Sequence, residues 1–427
     1  MSDQPSVLFV TQYYVPEIGA PQARIHELAQ RLQREGVRIT ILTAYPNYPS
    51  GVIQAGYTQR LFSRETIDGI NICRVPIYAT KSSGLIKRLT NYFSFVLTSM
   101  LGGLFRIGRH DIVIVESPPL FLGLSGWIIS LFKRSRFVMN ISDLWPESVS
   151  RIGAMNNSFA LKLAEILEVF LYRRAKTITG QSIGICRGVK EKKPNGQIAL
   201  VPNGCDCELF GSEKANRSEI ENLGWQNHFV VGYAGLIGLA QGIDLYVTVA
   251  DMLRDDDRFR FLIAGDGPEL ETVRSRADSL GLTNIHFLGF RAKKDMPGLV
   301  ASFQTTIIPL KHFIPGALPS KIYETMASDV PIVLAAEGDP KELVERANAG
   351  IVVDYQDPQA VVDAIVRLAD DREFGQQLGT NGRKYVLDHH DRHRIADVML
   401  RVLRATHDRD KSFFENDACA TSWRKQS

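Results

Sequence analysis

Short apolar runs alternate with amphipathic stretches along most of the chain. Residues 7–11 (VLFVT) read as a buried strand, and a loop carrying Pro16, Gly19 and Pro21 follows. Residues 22–35 place apolar side chains at Ile25, Leu28, Ala29 and Leu32, the spacing of one helix face. Gly36 ends that helix, and residues 38–43 (RITILT) read as the next strand. Strand, glycine-containing loop, helix, glycine, strand is a βαβ unit, and such units build parallel sheets. Further strands are expected at 70–75, 111–115, 136–141, 176–179 and 197–201. The pattern restarts after Asn203-Gly204. Strands at 229–234, 260–265, 285–290, 305–309 and 331–335 are interleaved with helices at 242–253, 269–280 and 318–327. The fold class is therefore α/β, with one parallel-sheet domain over 1–205 and a second over 206–380. From 358 to 406 the pattern is helical only, and 381–406 is expected to pack back on the first domain. Residues 407–427 are polar and aperiodic, which predicts a flexible tail.

One segment stands apart. Residues 89–105 carry no charge and are bracketed by Lys81, Lys87 and Arg88 in front and by Arg106 and Arg109 behind. The run is short of the roughly 20 residues of a spanning helix. It reads either as an interfacial helix with snorkelling cations or as a buried core helix. Residues 120–132 are similarly apolar and end at Lys133, Arg134 and Arg136. Charge sharpens the picture: the first 205 residues hold 24 Lys/Arg against 13 Asp/Glu, the remainder 26 against 34. A basic first half suits an anionic partner such as a phosphate or a lipid surface, although surface solubility alone also explains it. The 44% apolar and 23% charged content excludes disorder and collagen-like repeats. The first residues lack a basic, apolar leader pattern. Five cysteines without CxxC spacing argue against a disulfide scaffold or zinc site and fit a reducing cytoplasm.

Glycine turns between strand and helix expose N–H groups where phosphate binds well. Three occur here, at Gly19-Ala20-Pro21, at Gly235 to Gly242 and at Gly265-Asp-Gly-Pro268, and none is a dinucleotide or Walker fingerprint. In LPSKIYE (318–324), Pro319 can open a helix, Ser320 can satisfy free N–H groups, and Lys321 places a cation in the first turn. A lysine there opposes the helix dipole, so a bound anion would explain it. Glu324 shares its face by i, i+3 spacing and could accept hydrogen bonds from paired ribose hydroxyls. An ordinary helix with a solvated Lys–Glu pair is the competing interpretation.

These residues resemble a family. Val201-Pro-Asn-Gly-Cys-Asp206 looks like the PNGxD linker of family 4 glycosyltransferases. AGDGPEL (264–270), NIHFLGF (284–290), PSKIYETMA (319–327) and Pro331-Ile-Val follow that family's second domain in order. The resemblance covers roughly residues 5–405. It implies the GT-B fold, two Rossmann-like domains with parallel sheets facing a central cleft, and a retaining, metal-independent reaction with no cofactor. By resemblance Glu324 holds the ribose, and the backbone of Pro319, Ser320 and Lys321 holds phosphate. The Phe290 main chain reads the base beside the Gly265–Gly267 turn, and Gly19 and Ala20 approach the diphosphate from the first domain, with Gly235 in the facing loop.

Departures from the family pattern are equally specific. Gly316 stands where the first Glu of E-x7-E would contact the donor sugar, and Leu236 and Gln241 replace the usual diphosphate-binding Arg and Lys. Lys321 and Arg24 are the cations expected to compensate. In NISD (140–143) Ser142 replaces the family's His, leaving Asp143, with Glu147 one turn on, as the candidate catalytic bases; in the retaining mechanism that the resemblance implies, the leaving phosphate is the alternative proton acceptor, and helix capping is the alternative role for Asp143. His26 reads as structural. The substitutions, with AQG at 240–242 and DLWPES at 143–148, resemble WbuB-type L-fucosamine and other amino-sugar transferases of bacterial surface polysaccharide assembly. That resemblance implies a UDP-linked N-acetyl sugar as donor and a polyprenyl-diphosphate-linked saccharide as acceptor. It further implies a peripheral location on the anionic cytoplasmic face of the inner membrane, with no nucleic acid partner. A non-catalytic sugar-nucleotide-binding relative and a UDP-sugar epimerase of the same architecture are the other readings.

Overall fold

The computed structural model describes residues 4–82, 84–151, 157–311, 313–417 and 420–426, and the chain divides into two compact units. The first comprises residues 1–202 and 395–427, the second 203–394.

In the first unit the apolar runs form β1 (Ser6–Val10), β2 (Arg38–Ala44), β3 (Ser63–Ile67), β4 (Ile70–Val75), β5 (Ile112–Ser117), β6 (Arg136–Ile141), β7 (Thr177–Gly180) and β8 (Gln197–Leu200). They make one sheet in the order β3-β4-β2-β1-β5-β6-β7-β8, parallel except for the β3–β4 pair. Connecting helices are α1 (Ala20–Arg34), α2 (Leu85–Phe105), α3 (Leu122–Lys133), α4 (Glu147–Arg151), α5 (Ser158–Arg174) and α6 (Ile183–Lys192). Strand alternation sends Leu8 and Val10 against α2, α3, α5 and α6, and Val7 and Phe9 against α1 and the returning C-terminal segment. From β1 the chain winds first towards β2 and later towards β5, so the switch point lies between β1 and β5. Ligands of open α/β sheets bind at the carboxyl ends of such strands.

The second unit repeats the plan with β9 (Phe229–Ala234), β10 (Phe259–Ala264), β11 (Ile285–Gly289), β12 (Thr305–Pro309), β13 (Ile332–Ala335) and β14 (Gly350–Val353). Its order is β11-β10-β9-β12-β13-β14, all parallel, with the switch between β9 and β12. Its helices are α7 (Ser218–Asn222), α8 (Asp244–Met252), α9 (Leu270–Ser279), α10 (Met296–Val300), α11 (Ser320–Ala327), α12 (Asp339–Ala347), α13 (Pro358–Asp370) and α14 (Arg372–His389).

The C-terminal region departs from the expectation for 381–406. Residues up to His389 belong to α14, which packs on α11, and a Cβ at Gly379 would lie 2.1 Å from the carbonyl of Asp329, just beyond the end of α11. After a break, α15 (Arg392–Asp408) buries Met399, Val402 and Leu403 in the first unit. Nor is 407–427 a loose tail among its described residues. Phe414 in α16 (Phe413–Asn416), Ala420 and Trp423 are buried in the first unit, and Leu200 N donates to Ala420 O. Apolar side chains without periodicity still anchor a segment when each finds its own cavity. Cys419 lies outside the described residues.

Among the described residues no helix is long and apolar enough to cross a membrane. The segment 89–105 is the body of α2, and it splits into two faces. Phe95 and Ser99 are buried against the sheet and α3, whereas Phe93, Leu97, Leu101 and Phe105 are exposed.

Candidate functional site

At the switch point of the first unit, the carboxyl ends of β5, β6 and β7 bring together a polar cluster. Glu116, the last but one residue of β5, is buried and receives the Arg24 guanidinium, the Ser142 hydroxyl and, at 2.6 Å, the Asn140 amide. Thr179 donates to Asn140 Oδ1 at 2.6 Å, and Gln181 closes the group 2.6 Å from Ser142 Oγ. Arg24 comes from the second turn of α1, so its charge is offset within the first unit rather than left free for a ligand. Asp143 adjoins the cluster without a hydrogen bond to its carboxylate among the described residues. Burial first, then the negative charge of Glu116, raise it to about 6 against the opposing pull of Arg24. A half-buried carboxylate titrating there can take or hold a proton near neutral pH. Glu147 begins α4 and pairs at 3.2 Å with Arg151 in solvent, which suits it less to that role. Trp145, Phe121 and Phe93 form an aromatic row beyond Asp143, with centroids 5.2 and 4.6 Å apart.

Gly19 caps α1 with an extended backbone, and the helix, opening at Ala20, has no side-chain cap. The Gln22 side chain lies against Gly19, with its Oε1 buried and unpartnered among the described residues. His26 is held by the Tyr14 hydroxyl at 2.8 Å and Asp68 at 2.9 Å, a structural role.

The second unit gathers the other candidates at the ends of β9 and β10. Gly235 N donates to Ala264 O at 2.9 Å, Ile237 N to Asp266 O at 3.0 Å, and Gly265 N to Gly289 O at 2.9 Å. These bonds lock the two glycine loops together and set Phe290, 70% exposed, beside them. Gly265 adopts φ +155 with its Cβ position 1.8 Å from the Gly235 carbonyl, and Gly267 has φ +154 with Ile237 O at 2.3 Å, so only glycine fits at either. Above this turn α11 begins after Pro319, and no side chain caps its first N–H groups. Lys321 reaches back over Gly235, whose Cβ position is 3.0 Å from Nζ, and rests 4.8 Å above the Tyr233 ring. Among the described residues it forms no ion pair or hydrogen bond. Burial lowers its ammonium to about 8, with Glu324 alone pulling upward. Burial likewise raises Glu324, which keeps the Ser320 hydroxyl as a hydrogen-bond partner.

Gln241 lies in the same loop as Gly235, its Oε1 close over Gly238. Gly316 sits in the turn before α11, and its N–H donates to Asp339 Oδ2 at 3.1 Å. Asp339, the first residue of α12, thus holds a carboxylate beside position 316. Asp339 and Glu116 were not marked by sequence spacing. The available signal for Glu116 was a carboxylate closing an otherwise apolar parallel strand.

The sequence matches the family described as glycosyl transferases group 1 over residues 216–385, and the glycosyl transferase 4-like domain over residues 19–204. The chain belongs to this glycosyltransferase family. One relative is the glycosyl transferase WcaI of Escherichia coli (strain K12), which its name places in colanic acid biosynthesis; it is 24% identical over 336 residues, 76% of this chain and 81% of that one. Another, from Mycobacterium tuberculosis, is named a GDP-mannose-dependent phosphatidylinositol monomannoside mannosyltransferase. It is 29% identical over 202 residues, 45% of this chain and 52% of that protein. Among solved structures, Anabaena HepE in complex with UDP and glucose superposes with a TM-score of 0.71 at 17% identity, covering 94% of this chain and all of that one. The glycosyltransferase therefore has the GT-B fold, with its two parallel-sheet domains.

Proposed function

We propose that this glycosyltransferase moves an N-acetylated amino sugar from UDP to a polyprenyl-diphosphate-linked saccharide, with retention of configuration, in surface polysaccharide assembly. The observation that carries the proposal is the unpaired Lys321 ammonium held beside the uncapped start of α11, with Glu324 one turn away. This is a ready seat for a diphosphate with a carboxylate placed for a ribose. The WcaI likeness supports a polysaccharide product, and the HepE complex supports UDP. In the reaction the acceptor oxygen bonds to the sugar's anomeric carbon on the face from which the diphosphate leaves. The bond to the diphosphate breaks with its electron pair going to the phosphate oxygen, where Lys321 and the α11 N–H groups stabilise charge. The acceptor proton passes to Asp143, and Asp339 takes over the sugar contact that Gly316 cannot make. No metal or cofactor is assigned. On the acceptor side, the aromatic row from Phe93 to Trp145 would face a sugar or an isoprenoid.

The exposed stripe of α2, flanked by Arg88, Arg106 and Arg109, would rest on the anionic cytoplasmic face of the inner membrane. Titration of UDP, GDP and UDP-N-acetyl sugars into the purified chain tests the donor assignment. UDP binding that E324A weakens at least about tenfold is expected, since paired hydrogen bonds to a charged group contribute about 1.5–3 kcal/mol each. Preference for GDP would overturn it.

A further inference from the structure

At the opposite end of the first unit's strands, where β5 and β6 begin, lies a cavity of about 570 Å³. Arg109 precedes β5, Arg134 ends α3, Arg136 starts β6, and Arg174 and Lys176 flank the turn from α5 to β7. His407 arrives on the last turn of α15, and Arg409 follows directly after its end. The helices end here because each runs back against the strands, and cations at helix C-termini are ordinarily favourable. That does not account for Arg136 and Lys176, which stand at strand starts. Nor does it account for the missing counter-charge. Among the described residues none of these six cations forms an ion pair. Asp111, the one acid on the wall, already accepts from Ser6 N at 2.8 Å and Ser6 Oγ at 2.6 Å. Burial, and then the Arg409 charge, push Arg136 down, against the smaller opposing pulls of Asp408 and Asp111. His407 adds a buried Nδ1 with no hydrogen-bond partner among the described residues. Arg174 is fixed in place over Trp127 and Phe170, at 5.6 and 5.2 Å from their centroids.

We propose that this cavity binds a phosphate group, as a phosphomonoester dianion carried by a lipid headgroup or by a soluble molecule. Guanidinium forks match phosphate oxygens in pairs, and a dianion offsets repulsion that the fold leaves standing. Exposed apolar side chains at the same end, Phe105, Leu131 and Phe132, offer a lipid-bound phosphate an acyl contact. Phe105 is brought there because α2 and α3 run in the same direction, Ser99 touching Ser125 and Gly103 facing Ile129. This site is remote from Asp143 and does not depend on the transferase reading.

Two probes applied to the full chain test it. The first is inorganic phosphate against chloride at equal ionic strength, read as a rise in melting temperature. The second is co-sedimentation with phosphatidylcholine vesicles with or without phosphatidic acid. Arg109→Glu/Arg174→Glu should weaken the response by roughly twentyfold, near fivefold per cation lost. Lys341→Glu/Lys384→Glu, the same charge change in the second unit, should leave it intact. Arg109→Gln/Arg174→Gln serves where the reversal fails to fold. Binding to phosphatidate vesicles that Arg109→Glu/Arg174→Glu weakens, with no response to free phosphate, assigns the site to a lipid, and a response to free phosphate that the same variant weakens assigns it to a soluble ligand. No response to either probe, or equal loss in both charge-reversal variants, overturns the proposal. UDP binding measured on the same preparations keeps a failed donor reading separate.

Discussion

Replacing Lys321 by methionine should make the free protein more stable and the nucleotide complex weaker. The ammonium sits at about 8 rather than at the ordinary 10.5, because burial disfavours its charged form. A folded-state value below the unfolded one means that the fold binds fewer protons. The wild type therefore carries a penalty at neutral pH, relieved as pH rises from 8 towards 10.5. A shift of about 2.5 units at about 1.4 kcal/mol each gives roughly 3 kcal/mol at pH 7 and about 1.5 kcal/mol at pH 9.5. Losing the contact with Tyr233 removes about 0.5–1 kcal/mol, leaving a net gain of about 2 kcal/mol for Lys321→Met at pH 7. For a unit of this size that is a rise of about 4–8 °C in melting temperature. UDP affinity should fall at least about tenfold with the loss of a charged partner for the diphosphate. Urea denaturation of both proteins at the two pH values, with calorimetry of UDP binding, measures every part. Equal stabilities at both pH values, with unchanged UDP affinity, would refute the reasoning.

Asp143→Asn should gain stability at pH 7 relative to wild type, by up to about 3 kcal/mol from a shift of about two units, because a raised carboxyl destabilises the fold above its unfolded value. The gain should vanish near pH 4, while turnover falls by about a hundredfold or more through loss of the base; a gain independent of pH would count against it. Gly265→Ala sets a methyl against the Gly235 carbonyl at a backbone angle that L-residues avoid, and should lower the melting temperature of the second unit with a loss of about 3 kcal/mol or more. An unchanged melting curve would show that the loop gives way. Leu97→Glu/Leu101→Glu on the exposed α2 face should abolish flotation with anionic liposomes without altering UDP affinity; flotation equal to wild type would move the membrane contact elsewhere.

Both sheets were legible because parallel strands buried on two faces appear as unbroken apolar runs, as RFVMNI and TTIIP do. β3 was not expected, since SRETI at a sheet edge is mostly polar and only half-buried. β14 is four residues long and partly exposed, too short to separate from a loop. Lys321 and Glu324 were visible because helix geometry is local. The unpaired state of Lys321 was not visible, since it depends on Tyr233 of β9 and on Gly235 just beyond that strand. The same reason hid the engagement of Arg24 with Glu116, which lies 92 residues away. The C-terminal residues misled for a physical reason: Phe414 and Trp423 occupy separate cavities and leave no periodic trace.

The central claim is a UDP-sugar seat built on Glu324 and Lys321. Thermal unfolding of wild type and Glu324→Ala, with UDP, GDP, ADP and a panel of UDP-N-acetyl sugars, tests it most directly, since a ligand of the native state raises the midpoint. The account predicts that UDP and one UDP-N-acetyl sugar stabilise the wild type, with little effect on the variant. Stabilisation by GDP or ADP instead, or an equal shift in Glu324→Ala, would contradict it.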